Sequence, residues 1–292
     1  MRALQRPPLR YRGGKWRLAP WIISHLPAHR TYVEPFGGGA SVLMRKGRTY
    51  AEVYNDLDGE VVNVFRVLRD RYQAEALAEA LRRTPFSRED FEAAYNDEET
   101  DDPVERARRT VVKSFMGFGS AAIHDHRPRG MRTPTSAWRT PTGFRSNSER
   151  SGTTAAHDWA SYPEHLVSFY HRLRGVVIEN RDALDVIAQH DGPDTLHYID
   201  PPYVHATRKG KRTGRGKGYS HEMDDEAHRA LAELLRSVEG MVVVSGYPGD
   251  LYDRDLYPDW KRLEREHLAD GAARRREVLW INRRGECLEL FA

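Results

Sequence analysis

The sequence of 292 residues holds a single cysteine, Cys287. One thiol excludes an internal disulfide framework and a multi-cysteine zinc site, and it points to a reducing compartment. The cysteine itself reads as a small apolar filler in a late strand. No apolar run approaches the ~20 residues of a membrane-spanning helix, and the first residues lack the apolar core of a signal peptide. The expectation is a soluble, intracellular protein. Charge of one sign is not in large surplus either: 46 Lys and Arg stand against 43 Asp and Glu, a formal net charge of +3. That balance permits nucleic-acid binding without demanding it, so the distribution matters more than the sum. No internal repeat is visible, and the length suits one large domain or one domain with an insertion.

Four stretches carry candidate chemistry. In His197-Tyr198-Ile199-Asp200-Pro201-Pro202-Tyr203, the run from Thr195 to Ile199 reads as a buried strand. Neither proline has an N–H for a ladder, so the chain leaves the sheet at Asp200. The carboxylate and the Tyr203 ring then stand at the strand's carboxyl end, where open α/β sheets bind ligands. A stiff turn is the other reading. Thr31 to Phe36 is also strand-like and runs into Gly37-Gly38-Gly39-Ala40-Ser41 and a helical segment from Val42. Such a corner turns bare backbone amides and a helix N-terminus toward a ligand. It lacks the dinucleotide spacing and the Gly-Lys-Ser/Thr of a P-loop, which favours a small zwitterion or nucleoside over a cradled phosphate. A third strand, Tyr50 to Tyr54, ends at Asn55-Asp56. Asp56 lies about 20 residues beyond the first glycine, where Rossmann-like sites keep an acid for ribose hydroxyls; it is equally suited to cap a helix from Leu57. Finally, the glycine pair of Tyr11-Arg12-Gly13-Gly14-Lys15-Trp16 lets Lys15 approach a carboxylate or phosphate, or simply turns the chain into the amphipathic segment Leu18 to Leu26.

From 57 to about 118 the pattern is helical and highly charged, with segments Leu57–Asp70, Ala74–Arg83, Ser87–Tyr95 and Pro103–Phe118. Ser87 with Asp90 reads as a capping start, and Pro103 as a first helical turn. Periodicity fails between Gly117 and Trp159, where Arg127, Arg129, Arg132, Arg139, Arg145 and Arg150 are interspersed with Trp138, Phe144 and Trp159. Basic groups with interleaved aromatics and few acids suit phosphates and bases; disorder is the competing reading. A helix from Tyr162 to Leu173 leads into the strand Val176–Glu179, a helix from Leu184 to His190 and the strand ending at Asp200. This β–α–β alternation implies a parallel sheet. Asp182, like Asp56 and Asp200, sits at the carboxyl end of a predicted strand. After Tyr203, residues 208–218 hold six basic residues (Arg208, Lys209, Lys211, Arg212, Arg215 and Lys217) among four glycines. That cationic loop beside Asp200 favours a polyanionic substrate. His221 and His228 have no third ligand at metal spacing and read as non-metal residues. A helix from Asp224 to Val238 and a strand from Met241 to Val244 follow. Strands are then expected at Lys261–His267, Glu277–Asn282 and Glu286–Phe291, forming an antiparallel edge.

Taken together, Tyr-Arg-Gly-Gly-Lys at 11–15, Val-Glu-Pro-Phe-Gly-Gly-Gly at 33–39, Tyr-Asn-Asp at 54–56 and Asp-Pro-Pro-Tyr at 200–203 resemble the Dam-like adenine-specific DNA methyltransferases, particularly phage and prophage forms. The resemblance implies a Rossmann-like α/β sheet that binds S-adenosyl-L-methionine, built from 1–56 and 161–292, with a mainly helical target-recognition region inserted at 57–160. It implies that Tyr11, Lys15, Glu34, Phe36, Gly37, Gly38, Gly39, Asp56 and Asp182 bind the cofactor. Asp200, Pro201, Pro202 and Tyr203 form the catalytic loop, with Asp200 also beside the cofactor. Arg127, Arg129, Arg132, Arg139 and the 208–217 cations are expected on double-stranded DNA. The chemistry would be methylation of adenine's 6-amino nitrogen, with no metal, in the cytoplasm of a bacterium or a phage-infected host. These residues carry no information on a cognate restriction nuclease. Asp-Pro-Pro-Tyr also permits the 4-amino group of cytosine or an RNA target, whereas Asn-Pro-Pro-Tyr would suit glutamine methylation better. An inactive DNA-binding homologue is a further alternative, although every expected catalytic position is filled. Cytosine C5 methylation needs a Pro-Cys nucleophile, which is absent.

Overall fold

A computed structural model describes residues 4–95, 100–117, 123, 143–145, 154–203, 223–268 and 274–287. Arg127, Arg129, Arg132, Arg139, Arg150, Trp138, His221 and the basic residues Arg208, Lys209, Lys211, Arg212, Arg215 and Lys217 lie outside the described residues. The chain divides into two compact units, Met1–Gly14 with Asp58–Arg174, and Lys15–Leu57 with the described residues from Gly175 onward.

The second unit is α/β. In chain order it comprises α1 (Ala19–Ile23), β1 (Thr31–Glu34), α2 (Ser41–Arg45), β2 (Ala51–Asn55), β3 (Val176–Glu179), α9 (Ala183–His190), β4 (Thr195–Ile199), α10 (Asp225–Ser237), β5 (Met241–Gly246), β6 (Lys261–Leu268), β7 (Arg274–Ile281) and α11 (Arg283–Cys287). The numbers α3 to α8 fall to the helices of the first unit. The strands form one seven-stranded sheet in the order β3-β2-β1-β4-β5-β7-β6, with helices flanking it in a Rossmann-like arrangement. The first five are parallel, and β7 and β6 complete an antiparallel edge, as expected. Strand order reverses between β1 and β4, so the topological switch point lies at their carboxyl ends. Every residue of β4 and β5 is buried, which is why their sequences read as continuous apolar runs rather than alternating ones. On one face, Leu231 and Leu235 of α10 and Ile187 of α9 share a core with Ile199, Val244, Val278 and Trp280. Each such leucine contributes roughly 1.5–3 kcal/mol by leaving water.

The first unit is helical: α3 (Gly59–Arg69), α4 (Arg71–Arg82), α5 (Arg88–Ala93), α6 (Pro103–Met116), α7 (Ala155–Ser161) and α8 (Leu166–Leu173), with a 3₁₀ turn at Tyr162–His165. Side chains of Asp58, Asp70, Ser87, Asp102 and Thr154 accept N-cap hydrogen bonds at α3 to α7. The basic N-terminal arm is tied into this unit. Arg6 lies 5.0 Å and 4.9 Å from the ring centroids of Phe115 and Tyr162, and the Tyr162 hydroxyl donates to the Pro8 carbonyl at 2.6 Å.

Several boundaries differ from expectation. The helix expected from Leu57 begins at Gly59, and its cap is Asp58, not Asp56; Asp58 Oδ1 accepts from Glu60 N–H at 3.1 Å and Val61 N–H at 3.3 Å. Glu286 and Cys287 end a helix instead of opening a strand, because Asn282 Oδ1 accepts Gly285 N–H at 3.1 Å and turns the chain. Helix α7 and the π-helical turn Leu251–Leu256 were not expected. No helix among the described residues is long and apolar enough to cross a membrane.

Candidate active site

The glycine corner after β1 is clamped to the end of β2. Gly37 N–H donates to the Asn55 carbonyl at 2.7 Å, Gly38 N–H to Asp56 Oδ2 at 2.8 Å, and the Tyr54 hydroxyl to the Gly38 carbonyl at 2.8 Å. A Cβ on Gly37 would stand 2.1 Å from Tyr54 Cε2, so only glycine fits. Gly38 has φ 47° and Ala40 has φ 51°. For alanine that left-handed conformation costs about 1–2 kcal/mol, strain that the surrounding bonds hold in place. The corner is therefore short, poor in side chains and closely packed against the end of β2. Gly39 is buried within it, and Phe36 is half-buried against the neighbouring core.

Two groups brace that corner. Asn55 Nδ2 donates to the Pro35 carbonyl at 2.9 Å and the Arg181 carbonyl at 3.0 Å, while its Oδ1 accepts Arg181 N–H at 2.9 Å. One amide thus fastens together the ends of β1, β2 and β3. Ala40 has no side chain to cap α2, and Glu34 supplies the missing acceptor: Oε2 takes Leu43 N–H at 2.9 Å and the Tyr32 hydroxyl at 2.8 Å. Burial pushes the Glu34 carboxyl up to about 8, against those two hydrogen bonds and with a further push from the Asp200 charge.

At the ends of β4 and β5, charged groups converge. Lys15, 4% exposed, places Nζ 2.9 Å from Asp200 Oδ1 and 3.4 Å from Glu277 Oε1, and it also bonds the Tyr203 hydroxyl. The Ser245 hydroxyl lies 3.1 Å from Asp200 Oδ1 and 3.3 Å from Glu277 Oε1, and it accepts from the Tyr198 hydroxyl at 3.1 Å. Burial raises the Asp200 carboxyl above the usual range, opposed by Lys15 and reinforced by Glu277. Tyr203 is buried beside Tyr247, with ring centroids 4.3 Å apart.

Lys15, Asp200 and Tyr203 are therefore brought together, and Glu34, Gly37, Gly38, Gly39 and Asp56 meet at the adjacent strand ends. Pro201 is buried and Pro202 half-buried directly after β4. Asp182 is exposed at the end of β3 and accepts Leu184 N–H at 2.8 Å as the cap of α9. Tyr11 belongs to the helical unit, where its carbonyl accepts Gly14 N–H at 3.1 Å. Sequence reasoning missed Glu277, Ser245 and Asn55. The available signal for Glu277 was an acid heading the apolar run Val278–Ile281: in an antiparallel strand, that start falls on the edge where parallel strands end.

Among the described residues, no group of three or more His, Cys, Asp and Glu could hold a metal ion. The family model of the D12 class N6 adenine-specific DNA methyltransferases matches residues 11–269. Two curated relatives, each named DNA adenine methylase, come from Vibrio cholerae serotype O1, strains O395 and El Tor Inaba N16961. Each is 24% identical over 265 residues, covering 87% of this chain and 85% of the relative. The expected order of motifs, the strand-end acids and this match agree, and the chain belongs to the D12 class of N6 adenine-specific DNA methyltransferases, which methylate adenine in DNA.

Proposed function

We propose that the chain methylates the 6-amino nitrogen of an adenine turned out of double-stranded DNA, with S-adenosylmethionine as donor, at the carboxyl edge of its sheet. One observation carries the reading: Asp200 has Oδ1 held by Lys15 and Ser245, while no donor among the described residues reaches Oδ2. An anchored carboxylate with one oxygen open suits a group that accepts an amino hydrogen.

The residues fit the cofactor. Gly37 to Gly39 put backbone without side chains at the strand ends, a carboxylate stands beside them at Asp56, and a half-buried ring stands at Phe36. In this reading Glu34, Phe36, Gly37 to Gly39 and Asp56 hold the nucleoside. Tyr11, Lys15 and Asp182 complete the binding set. When bound, S-adenosylmethionine supplies an electrophilic sulfonium methyl. Asp200 Oδ2 and the Pro201 carbonyl accept the two amino hydrogens of adenine, drawing the nitrogen lone pair out of conjugation and orienting it for in-line attack. Asp200 Oδ2 then takes the proton that the methylated nitrogen must lose, a task that its raised affinity for protons favours. The work is mainly positioning and electrostatics. Tyr203 stacks on the extruded base, and extrusion is the price of reaching a base buried in a duplex. Target recognition falls to 57–160, and Arg127, Arg129, Arg132, Arg139 and the 208–217 cations meet phosphates. The setting is the cytoplasm of a bacterium or an infected host.

The test is transfer of labelled methyl from S-adenosylmethionine to unmethylated genomic DNA, followed by digestion to nucleosides. N6-methyladenine is expected. Label in N4-methylcytosine, or none in DNA, would sink the reading.

A further inference from the structure

The geometry points to Glu277 as a positioning residue of the methyl-transfer site, one that anchors Tyr203 and holds Lys15 back from closing wholly on Asp200. This rests on the function proposed above.

The carboxylate is 1% exposed, and a buried charge survives only when paired and hydrogen-bonded. Its Oε1 accepts from the Tyr203 hydroxyl at 3.0 Å, lies 3.4 Å from Lys15 Nζ, and shares with Asp200 Oδ1 the single hydrogen of the Ser245 hydroxyl, 3.3 Å away. None of these comes from β7 itself. They arrive from the segment before α1, the turn after β4 and the end of β5, so one oxygen ties three separate pieces of chain to a single point. Lys15 also bonds the Tyr203 hydroxyl, which closes the ring of contacts.

The charge has a second consequence. With Asp200 as its sole buried counter-charge, the Lys15 ammonium would direct its donors to that carboxylate and occupy the lone pairs required by an amino group. Glu277 divides the ammonium between two carboxylates, and the Asp200 contact stays at one oxygen. The Tyr203 hydroxyl, pinned at its far end, fixes where the ring stands beside Tyr247. A glutamine at 277 keeps the acceptor oxygen but loses the charge. An alanine loses both.

Full-length wild type, Glu277→Gln, Glu277→Ala and Tyr203→Phe are compared in methyl transfer from S-adenosylmethionine to unmethylated genomic DNA. Glu277→Gln is expected to lower kcat about 10- to 100-fold with KM for S-adenosylmethionine and DNA within about threefold, and Glu277→Ala to lose more, so that glutamine is a partial rescue. Wild-type kcat in Glu277→Gln, or a loss confined to KM, overturns the proposal. A second readout needs no activity: denaturant unfolding of Tyr203→Phe, Glu277→Ala and the double variant. If Glu277 anchors Tyr203, the double variant unfolds with the more damaged single variant; strict additivity overturns the anchoring. Failure of wild type to form N6-methyladenine would strike the proposed function instead, and the unfolding cycle would still decide the role of Glu277.

Discussion

Lys15 Nζ lies 2.9 Å from Asp200 Oδ1, although 185 residues separate them in the chain. The Gly-Gly-Lys turn and the Asp-Pro-Pro-Tyr turn are thus two halves of one ionic arrangement. A lysine this buried needs a carboxylate partner, and both Asp200 and Glu277 flank it.

Removing the cation should leave those carboxylates facing each other out of water. Lys15→Met keeps most of the volume, and a loss of about 3–5 kcal/mol in unfolding free energy at pH 7.5 is expected. One of the paired acids will take up a proton to relieve the repulsion, so the loss should shrink at pH 5. Urea unfolding at both values checks this; an equal loss at each would contradict the arrangement.

Asp200→Ala removes the acceptor but leaves Lys15 paired with Glu277, so the fold should survive. A positioned acid–base group is worth roughly 10²- to 10⁴-fold, and methyl transfer should fall at least that far. Circular dichroism and label transfer measured together separate the two effects. Near wild-type turnover would remove Asp200 from the chemistry.

The sheet was legible because its strands are apolar runs ended by acids, prolines or glycines; β3 and β4 match their expected spans residue for residue. Asp200 and Asp56 were legible for the same reason, as acids where an apolar run stops, and Lys15 as the cation after a glycine pair that opens an amphipathic segment. Glu277 and Ser245 were not, since their roles depend on which strands become neighbours, a property of sheet order rather than of local pattern. Asp56 as a helix cap failed because Asp58, two residues on, offers the same chemistry in better register. Glu286 and Cys287, expected to open a strand, lie in a helix because a single amide, Asn282, ends the preceding strand and turns the chain; the rest of that expected strand, 288–291, lies outside the described residues.

Gly37→Ala would drive a methyl group to 2.1 Å from the Tyr54 ring, in a corner whose backbone is bonded on both sides. Overpacking of this kind costs typically 1–3 kcal/mol. A lower melting temperature and lost calorimetric binding of S-adenosylmethionine are expected. Gly47→Ala is the control, since nothing lies within 4 Å of its added Cβ. Equal behaviour of the two variants would show that the corner is not sterically fixed.

Replacing Arg208, Lys209, Lys211, Arg212, Arg215 and Lys217 by serine should weaken DNA binding and flatten its dependence on salt. Each phosphate contact contributes close to 0.9 to the slope of log affinity against log salt. An unchanged slope would show that this stretch does not touch phosphates.

Glu34 should make stability fall as pH rises through the neutral range. Its carboxyl ordinarily loses its proton near 4.5, but burial in the native state holds that proton to about 8. Between those values the unfolded chain binds fewer protons than the folded one, so the slope of unfolding free energy against pH is negative. The contribution is fully present below the lower value and is lost as pH climbs through the higher one, a change on the order of a few kcal/mol. Glu34→Gln keeps an acceptor for the Tyr32 hydroxyl and Leu43 N–H but cannot ionise. Its denaturant midpoint should therefore decline less between pH 5 and pH 8.5 than that of wild type. Parallel curves for the two proteins would mean that another group sets the slope.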